Sequence, residues 1–194
     1  MLSLGIDTSN YSSSAALAQD GELVEDIRRP LNVKRGERGL RQSDALYQHW
    51  ENLPAMLMPV LQKYRGSIGR VAVSSRPRPV DGSYMPVFNA GVSTGRLIAS
   101  SLGAEYIECS HQEGHIMAAS LGNAVDFASP FLCAHLSGGT LETVLVSGAG
   151  NELSKAEISV MACTSDISYG QLLDRLGVAL GYDFPAGEAL GALP

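Results

Sequence analysis

The sequence predicts an α/β fold, because short apolar strands alternate with helical stretches and because one β-turn-β pattern occurs twice. The first unit runs from an apolar strand at residues 2–6 through a hydroxyl-rich turn into a second apolar stretch at 15–18. The second unit runs from residues 131–136 through a Ser-Gly-Gly-Thr turn into residues 142–147. Two such units about 130 residues apart predict a duplicated fold that holds a nucleotide between its halves.

The composition excludes several classes of protein. The chain has 194 residues, of which 45% are hydrophobic and 18% charged, as is typical of a soluble globular protein. No apolar run approaches the ~20 residues of a transmembrane helix, and Asp7 comes too early for a signal peptide. The three scattered cysteines lack C-x-x-C spacing, so neither a disulfide framework nor a structural zinc site is predicted. We therefore expect a cytoplasmic protein with no membrane segment.

Charge is unevenly distributed along the chain. The net charge of -6 argues against general nucleic-acid binding, yet residues 28–41 contain six Lys or Arg and one Glu. This basic segment is either a contact for phosphate groups or a solvated loop.

A helix is predicted from Ser43 onwards, with Trp50 on its buried face and His49 half-buried. Pro54 and Pro59 would each remove a hydrogen bond from a regular helix interior, so we expect a kink or two consecutive helices.

Further elements follow in order along the chain. Strands are predicted at 23–27, 71–75 and 104–108, and a helix that lies close to a neighbouring element is predicted at 85–102. A linker at 123–130 separates these elements from the second β series.

The second β series is followed by one more predicted strand, at 152–158, and by a helix at 166–181 that ends at Gly181. The buried side of that helix is predicted to consist of Leu172, Leu173, Leu176, Val178, Ala179 and Leu180.

The turn after the first strand is a candidate phosphate site. Thr8, Ser9 and Asn10 offer hydroxyl and backbone N–H groups to an anion, and Asp7 can orient water or a cation. The alternative is a serine-rich hairpin turn without a ligand.

A histidine pair is the second candidate site. His111 and His115 lie four residues apart in a helix that follows the strand at 104–108, so their imidazoles can converge on one metal ion. Glu113 lies roughly 200° around the helix from His111, so it cannot act as the base does in H-E-x-x-H. The alternative is a pair that caps or lines the helix.

In these motifs the chain resembles the tRNA N6-threonylcarbamoyladenosine synthase family (TsaD/Gcp), formerly described as glycoproteases. The family's paired-histidine motif resembles residues 111–115, and its Ser-Gly-Gly phosphate turn resembles Ser137-Gly138-Gly139. A third block, residues 170–187, is similar to the family helix that ends in a Pro-Gly-Gly turn. The motifs occur in the family's order along the length of the chain.

The resemblance implies an actin-like ATPase fold of the ribonuclease H-like (ASKHA) class. We expect a complete first lobe at about residues 1–124 and the opening half of a second lobe at 125–194. It also implies a divalent metal ion, iron or zinc, held by His111 and His115, and a nucleotide, ATP or threonylcarbamoyl-AMP. The residues implied to hold the nucleotide are Thr8, Ser9, Asn10, Ser137, Gly138, Gly139, Asp174 and Gly187.

The implied function is the transfer of threonylcarbamoyl from threonylcarbamoyl-AMP to N6 of adenosine in tRNA. The implied partners are tRNA and either a paralogous TsaB-like protein or a second copy of the chain. No catalytic residue is assigned.

Three departures from the family pattern support an alternative. Tyr11-Ser12 replaces a pair of acidic residues, Thr140 replaces a histidine and Gln171 replaces a glutamate. Family members also supply an aspartate as third metal ligand from a segment that does not occur before Pro194. The alternative is a non-catalytic paralogue that acts as a scaffold or dimer partner. A metalloendopeptidase is a third interpretation, but it lacks a placed general base.

Overall fold

The computed structural model describes residues 1–9, 11–34, 39–136, 140–148 and 156–193. The chain divides into two compact units, one of Met1–Asn32 with Leu40–Asn123 and the other of Val33–Gly39 with Ala124–Pro194. The predicted alternation of strands and helices is confirmed.

The first unit is built on a five-stranded mixed sheet. Its strands are β1 (Leu2–Asp7), β2 (Ser12–Gln19), β3 (Glu22–Pro30), β4 (Ile68–Arg76) and β5 (Glu105–Ser110), in the order β3-β2-β1-β4-β5. β1 is antiparallel to β2 and parallel to β4, and β4 is parallel to β5. The carboxyl ends of β1, β4 and β5 therefore meet at one edge of the sheet, where ligands bind in open α/β sheets.

Three helices pack on this sheet: α1 (Gln42–Tyr64), α2 (Phe88–Leu102) and α3 (His111–Ser120). Alternate residues of β1 and β4 form the core with α1 and α2, and the fully buried members include Leu4, Val71 and Leu53. This period-two burial is what a strand with one face on the core requires.

Part of the prediction for α1 is wrong. Pro54 and Pro59 lie inside one helix, which rules out two consecutive helices, and the kink stays a prediction. Both prolines are exposed, as are Trp50 and Ala55, whose carbonyls lack the N–H donor that a residue other than proline would provide four positions later. The missing hydrogen bonds therefore fall on the solvent side of the helix. Trp50 is 51% exposed rather than buried.

His49 is fully buried, further than the half-burial predicted, and belongs to a polar cluster between α1 and β2. Its Nδ1 lies 2.8 Å from Ser13 Oγ, and Asn52 Nδ2 donates to the same hydroxyl at 3.2 Å. The cluster satisfies polar groups inside an apolar core, which would otherwise be costly to bury.

The second unit contains an antiparallel sheet in the order β6-β7-β8, formed by β6 (Phe131–Leu136), β7 (Leu141–Ser147) and β8 (Glu157–Cys163). The central strand β7 buries Val144 and Val146. Of the strand predicted at 152–158, residues 152–155 lie outside the described residues, and residues 157 and 158 begin β8.

Two helices follow, α4 (Tyr169–Ala179) and α5 (Gly187–Gly191). The Ser168 hydroxyl caps α4 by accepting from Gln171 N at 3.3 Å, so the helix begins later than predicted. Gly181, with φ of +93°, lies just after its end, as the sequence predicts.

The predicted buried side of α4 is wrong. Leu172, Leu176 and Leu180 are 48%, 50% and 60% exposed, and Gly177 is the buried residue of the helix. α4 packs against α5 through Gly177, where an added Cβ would lie 2.2 Å from Ala186 Cβ. The leucine spacing identified an apolar face correctly, but it could not show that the described residues leave this face uncovered.

None of the helices in the described part of the chain combines the length and the apolar character needed to cross a membrane.

The buried polar cluster yields a stability prediction. Ser13→Ala removes the hydroxyl that joins His49 to Asn52, so we expect the free energy of unfolding to fall by about 1–3 kcal/mol. Urea unfolding followed by circular dichroism measures this change. Ser14→Ala is the matched control, because Ser14 lies on the opposite, half-buried face of β2. Equal stability of the two variants would contradict the prediction.

Candidate functional site

The candidate site lies at the edge of the first unit's sheet where β1 and β5 end. β1 ends at Asp7, and β5 ends at Ser110, directly before the helix that carries the two histidines. β4 lies between these strands and is parallel to both. The strand order thus brings residues from opposite ends of the first unit's sequence to one place.

A capping box fixes the first turn of α3. Ser110 Oγ accepts a hydrogen bond from Glu113 N at 3.2 Å, and Glu113 Oε2 accepts one from Ser110 N at 2.6 Å. This reciprocal pair satisfies two backbone donors that the start of a helix leaves open. The Glu113 carboxylate is therefore engaged in starting the helix, which agrees with the expectation that it cannot act as a base beside the histidines.

The two predicted histidines converge. His111 Nε2 lies 2.8 Å from His115 Nε2, and the two rings meet edge to face with centroids 4.2 Å apart. The His111 side chain is 29% exposed and His115 is exposed, so the pair lies at the surface of the first unit.

Asp7 is a further member of this site. Its Oδ2 lies 2.9 Å from His111 Nδ1, and its Oδ1 accepts from Ser9 N at 2.9 Å and from Ser9 Oγ. Burial alone would raise the pKa of Asp7, but hydrogen bonds from His111, Ser74 and Ser9 and the charge of His111 hold it well below its usual value.

Sequence reasoning gave Asp7 only the general task of orienting water or a cation, and the contact with His111 was missed. The available signal was the strand order: if β1 and β5 flank β4 in parallel, their last residues lie at the same edge. The sequence alone does not reveal that order.

The remaining predicted residues of the first turn are only partly described. Thr8 is fully buried, and its Oγ1 donates to Val87 O at 2.9 Å and accepts from Gly91 N at 3.3 Å. Ser9 is held by Asp7, and Asn10 lies outside the described residues. The role of these residues in phosphate binding stays a prediction.

The other predicted nucleotide residues belong to the second unit. Ser137, Gly138 and Gly139 lie outside the described residues. Asp174 Oδ1 accepts from Ala186 N at 2.8 Å, and Gly187 begins α5 with open space where a Cβ would be. Their predicted contact with a nucleotide likewise stays a prediction.

The donor set at the histidine pair fits a transition metal. Imidazole nitrogen is a ligand for zinc and iron, whereas magnesium and calcium favour oxygen ligands. In many metal sites a carboxylate bonds the ring nitrogen of a histidine that does not face the metal. Asp7 is placed in this way at Nδ1 of His111. Within the described ranges, no cluster of three or more His, Cys, Asp or Glu side chains suited to a metal is present. The described chain therefore offers two nitrogen ligands.

Comparison with solved structures supports the predicted fold. The chain is similar to a protein described as resembling the peptidase YeaZ from Pseudomonas aeruginosa, with a TM-score of 0.51 and 13% identity over 82% of this chain and 66% of that one. It is also similar to the ethanolamine utilization protein EutJ from Carboxydothermus hydrogenoformans, with a TM-score of 0.51 and 17% identity over 98% of this chain and 60% of that one. The predicted α/β fold of the actin-like class is confirmed.

Comparison of sequences identifies the family. The family model described as "TsaD: tRNA N6-adenosine threonylcarbamoyltransferase" matches residues 30–193. A protein of that description from Caulobacter vibrioides is 32% identical over 202 residues, covering 100% of this chain and 52% of the relative. One from Geotalea uraniireducens is 26% identical over 198 residues, covering 100% of this chain and 54% of the relative. The chain thus spans about half the length of the curated relatives it matches. It belongs to the TsaD family of tRNA N6-adenosine threonylcarbamoyltransferases.

Proposed function

We propose that this chain acts in the transfer of threonylcarbamoyl from threonylcarbamoyl-AMP to N6 of adenosine in tRNA. The observation that carries the proposal is the convergence of His111 and His115, at 2.8 Å between their Nε2 atoms, in a chain of the TsaD family. Relatives at 26–32% identity bear the name of this activity. In the reaction, a bond forms between N6 of adenosine and the carbamoyl carbon, and the bond from that carbon to the phosphate oxygen of AMP breaks.

In this proposal His111 and His115 hold a divalent iron or zinc ion through their Nε2 atoms. When bound, such an ion supplies a Lewis acid that polarises substrate oxygens. Asp7 holds the far nitrogen of His111 and so keeps its ring in place. Thr8, Ser9, Asn10 and Ser137 to Gly139 are proposed to hold phosphate groups, with Asp174 and Gly187 against the ribose or the threonylcarbamoyl group of a bound nucleotide.

The geometry of Glu113 gives no support to the metalloendopeptidase interpretation. Its carboxylate accepts from Ser110 N at 2.6 Å and is buried in the capping box. A peptidase base would instead have to reach a water molecule beside the histidine nitrogens. We therefore favour group transfer over peptide hydrolysis as the reaction at this site, and the family supports this choice.

We propose that the partner is a second chain of actin-like fold, either a TsaB-like paralogue or a second copy. Support comes from an apolar strip along one side of α1, formed by Tyr47, Trp50, Pro54 and Met58. Tyr47, Trp50 and Met58 are 60%, 51% and 57% exposed, and the helical spacing places all four residues on one face. Contiguous apolar surface of this kind marks interaction sites in soluble proteins. The proposed location of the protein is the cytoplasm, because the proposed substrate is tRNA.

The proposed metal site predicts a metal content. Protein purified without oxygen is expected to hold about one iron or zinc ion per chain, as a site with imidazole ligands does. The double variant His111→Ala/His115→Ala is expected to lose it, because both described ligands are removed. Elemental analysis by mass spectrometry measures the ion. Met117→Ala, an exposed change on the same helix, is the control and should keep the ion. An ion retained by the double variant would contradict the site.

The proposed reaction has its own test. The chain is incubated with threonylcarbamoyl-AMP and tRNA, and modified adenosine is measured by mass spectrometry after digestion. We expect the wild type to modify tRNA and His111→Ala to be at least about 100-fold slower. Removing one group that stabilises developing charge in a transition state has an effect of this size. Equal activity of His111→Ala would rule out the metal role. An inactive wild type that nevertheless forms a stable heterodimer would favour the scaffold alternative.

The apolar strip predicts association that one charge can break. Met58→Glu is expected to dissociate the assembly, because an unpaired carboxylate is costly to bury in an interface. Light scattering after gel filtration should then give the mass of a single chain, 20.5 kDa. Trp50 is the chain's single tryptophan, so a blue shift of its emission reports directly on burial of the strip. Val80→Glu places the same charge on another exposed apolar residue and should leave assembly unchanged. A monomeric wild type that also fails to bind a TsaB-like protein would contradict the proposal.

A further inference from the structure

We infer that Asp7 is a positioning residue that sets the tautomer of His111, so that the Nε2 lone pair of this histidine is available to a metal ion. The inference rests on the proposed function, in which His111 and His115 hold an ion. It adds a residue on a different strand to that site and gives it a defined chemical task.

Each oxygen of the Asp7 carboxylate has its own partner. Oδ2 lies 2.9 Å from His111 Nδ1, while Oδ1 accepts from the backbone N of Ser9 at 2.9 Å and from the Ser9 hydroxyl. The Ser9 contacts prevent the carboxylate from rotating freely. Asp7 and His111 are only 27% and 29% exposed in their side chains, so water competes weakly for the contact between them.

The chemistry of the donors fixes the proton on His111. An ionised carboxylate can only accept hydrogen bonds, so His111 Nδ1 must be the donor. A neutral imidazole that carries its proton on Nδ1 has a lone pair on Nε2. That Nε2 is the atom that lies 2.8 Å from His115 Nε2.

The contact between the two histidines follows from this tautomer. When His111 is neutral, its Nε2 accepts, so His115 donates from Nε2 in the protein without an ion. His111 is therefore ready to act as a ligand, whereas His115 must first transfer its Nε2 proton to Nδ1 or to solvent. The two histidines of the pair are chemically different, and Asp7 is the cause of that difference.

Asp7→Asn is the informative variant because it preserves the shape of the side chain. Its oxygen can still accept from Ser9, and its amide NH2 can donate to His111 Nδ1. That donation requires the proton of neutral His111 to lie on Nε2, where it blocks a metal ion. Loss of such an outer partner of a ligand typically lowers metal affinity about 10–100-fold. Asp20→Asn is the matched control, since it makes the same change on an exposed residue in the turn between β2 and β3, at the opposite end of the sheet.

Two measurements on the full chain test the inference. Titration calorimetry with Zn²⁺ gives the affinity, and ¹⁵N NMR of the imidazoles in the metal-free protein gives the tautomers. We expect the wild type and Asp20→Asn to bind Zn²⁺ equally and to show an Nδ1–H tautomer at His111. We expect Asp7→Asn to bind about 10–100-fold more weakly and to show the Nε2–H tautomer.

The outcomes separate this inference from the proposed function. If Asp7→Asn binds Zn²⁺ as tightly as the wild type, the positioning role is wrong and the metal site stands. If the wild type does not bind Zn²⁺, the proposed ion is wrong, and the tautomers alone decide the role of Asp7. If Asp7→Asn does not fold, the wild type decides: an Nε2–H tautomer at His111 in the metal-free protein overturns the inference.

Discussion

The hydrogen bond between Asp7 and His111 connects the first strand of the chain to its third helix, across a sequence separation of 104 residues. It forms only because β4 inserts between β1 and β5 with all three strands parallel, so that their carboxyl ends coincide. Any change that altered this strand order would separate the two side chains. The candidate site is in this sense a property of the sheet and not of the histidine motif alone.

The turn after β1 is held from two sides. On the inner side, the buried Thr8 hydroxyl bonds Val87 O and Gly91 N at the start of α2. An added Cβ at Gly91 would lie 3.1 Å from Thr8 Oγ1, so the absence of a side chain there permits this approach. On the outer side, Asp7 holds Ser9. Thr8 is thus held by α2, while Ser9 is held by a carboxylate that also contacts His111 of α3.

Local signals in the sequence were sufficient for the parts of the site that lie within one element. The Ser110-x-x-Glu113 pattern accounts for the start of α3, and the spacing of His111 and His115 places both rings on one face. The contact of Asp7 with His111 could not be found this way, because it depends on which strands are neighbours. Pairing of distant strands is a property of the whole fold.

The same limit explains the errors on the two helices with apolar faces. Spacing identified an apolar side on α1 and on α4, but Trp50 and Leu176 are about half exposed. A periodic pattern shows that a helix has an apolar face, and it is silent on whether the same chain covers it. The buried face of α1 was identified correctly at Leu53, where the sheet provides the cover.

The close approach of α2 to the sheet has a mechanical consequence. At Gly95 an added Cβ would lie 2.3 Å from Val73 Cγ1, so the helix rests directly on the surface of β4 with no spare volume between them. Interiors packed in this way resist compression and pass displacements on to their neighbours. A displacement of α2 is therefore transmitted to β4 and, through the hydrogen bonds of Thr8 with Val87 and Gly91, to the residues that follow Asp7.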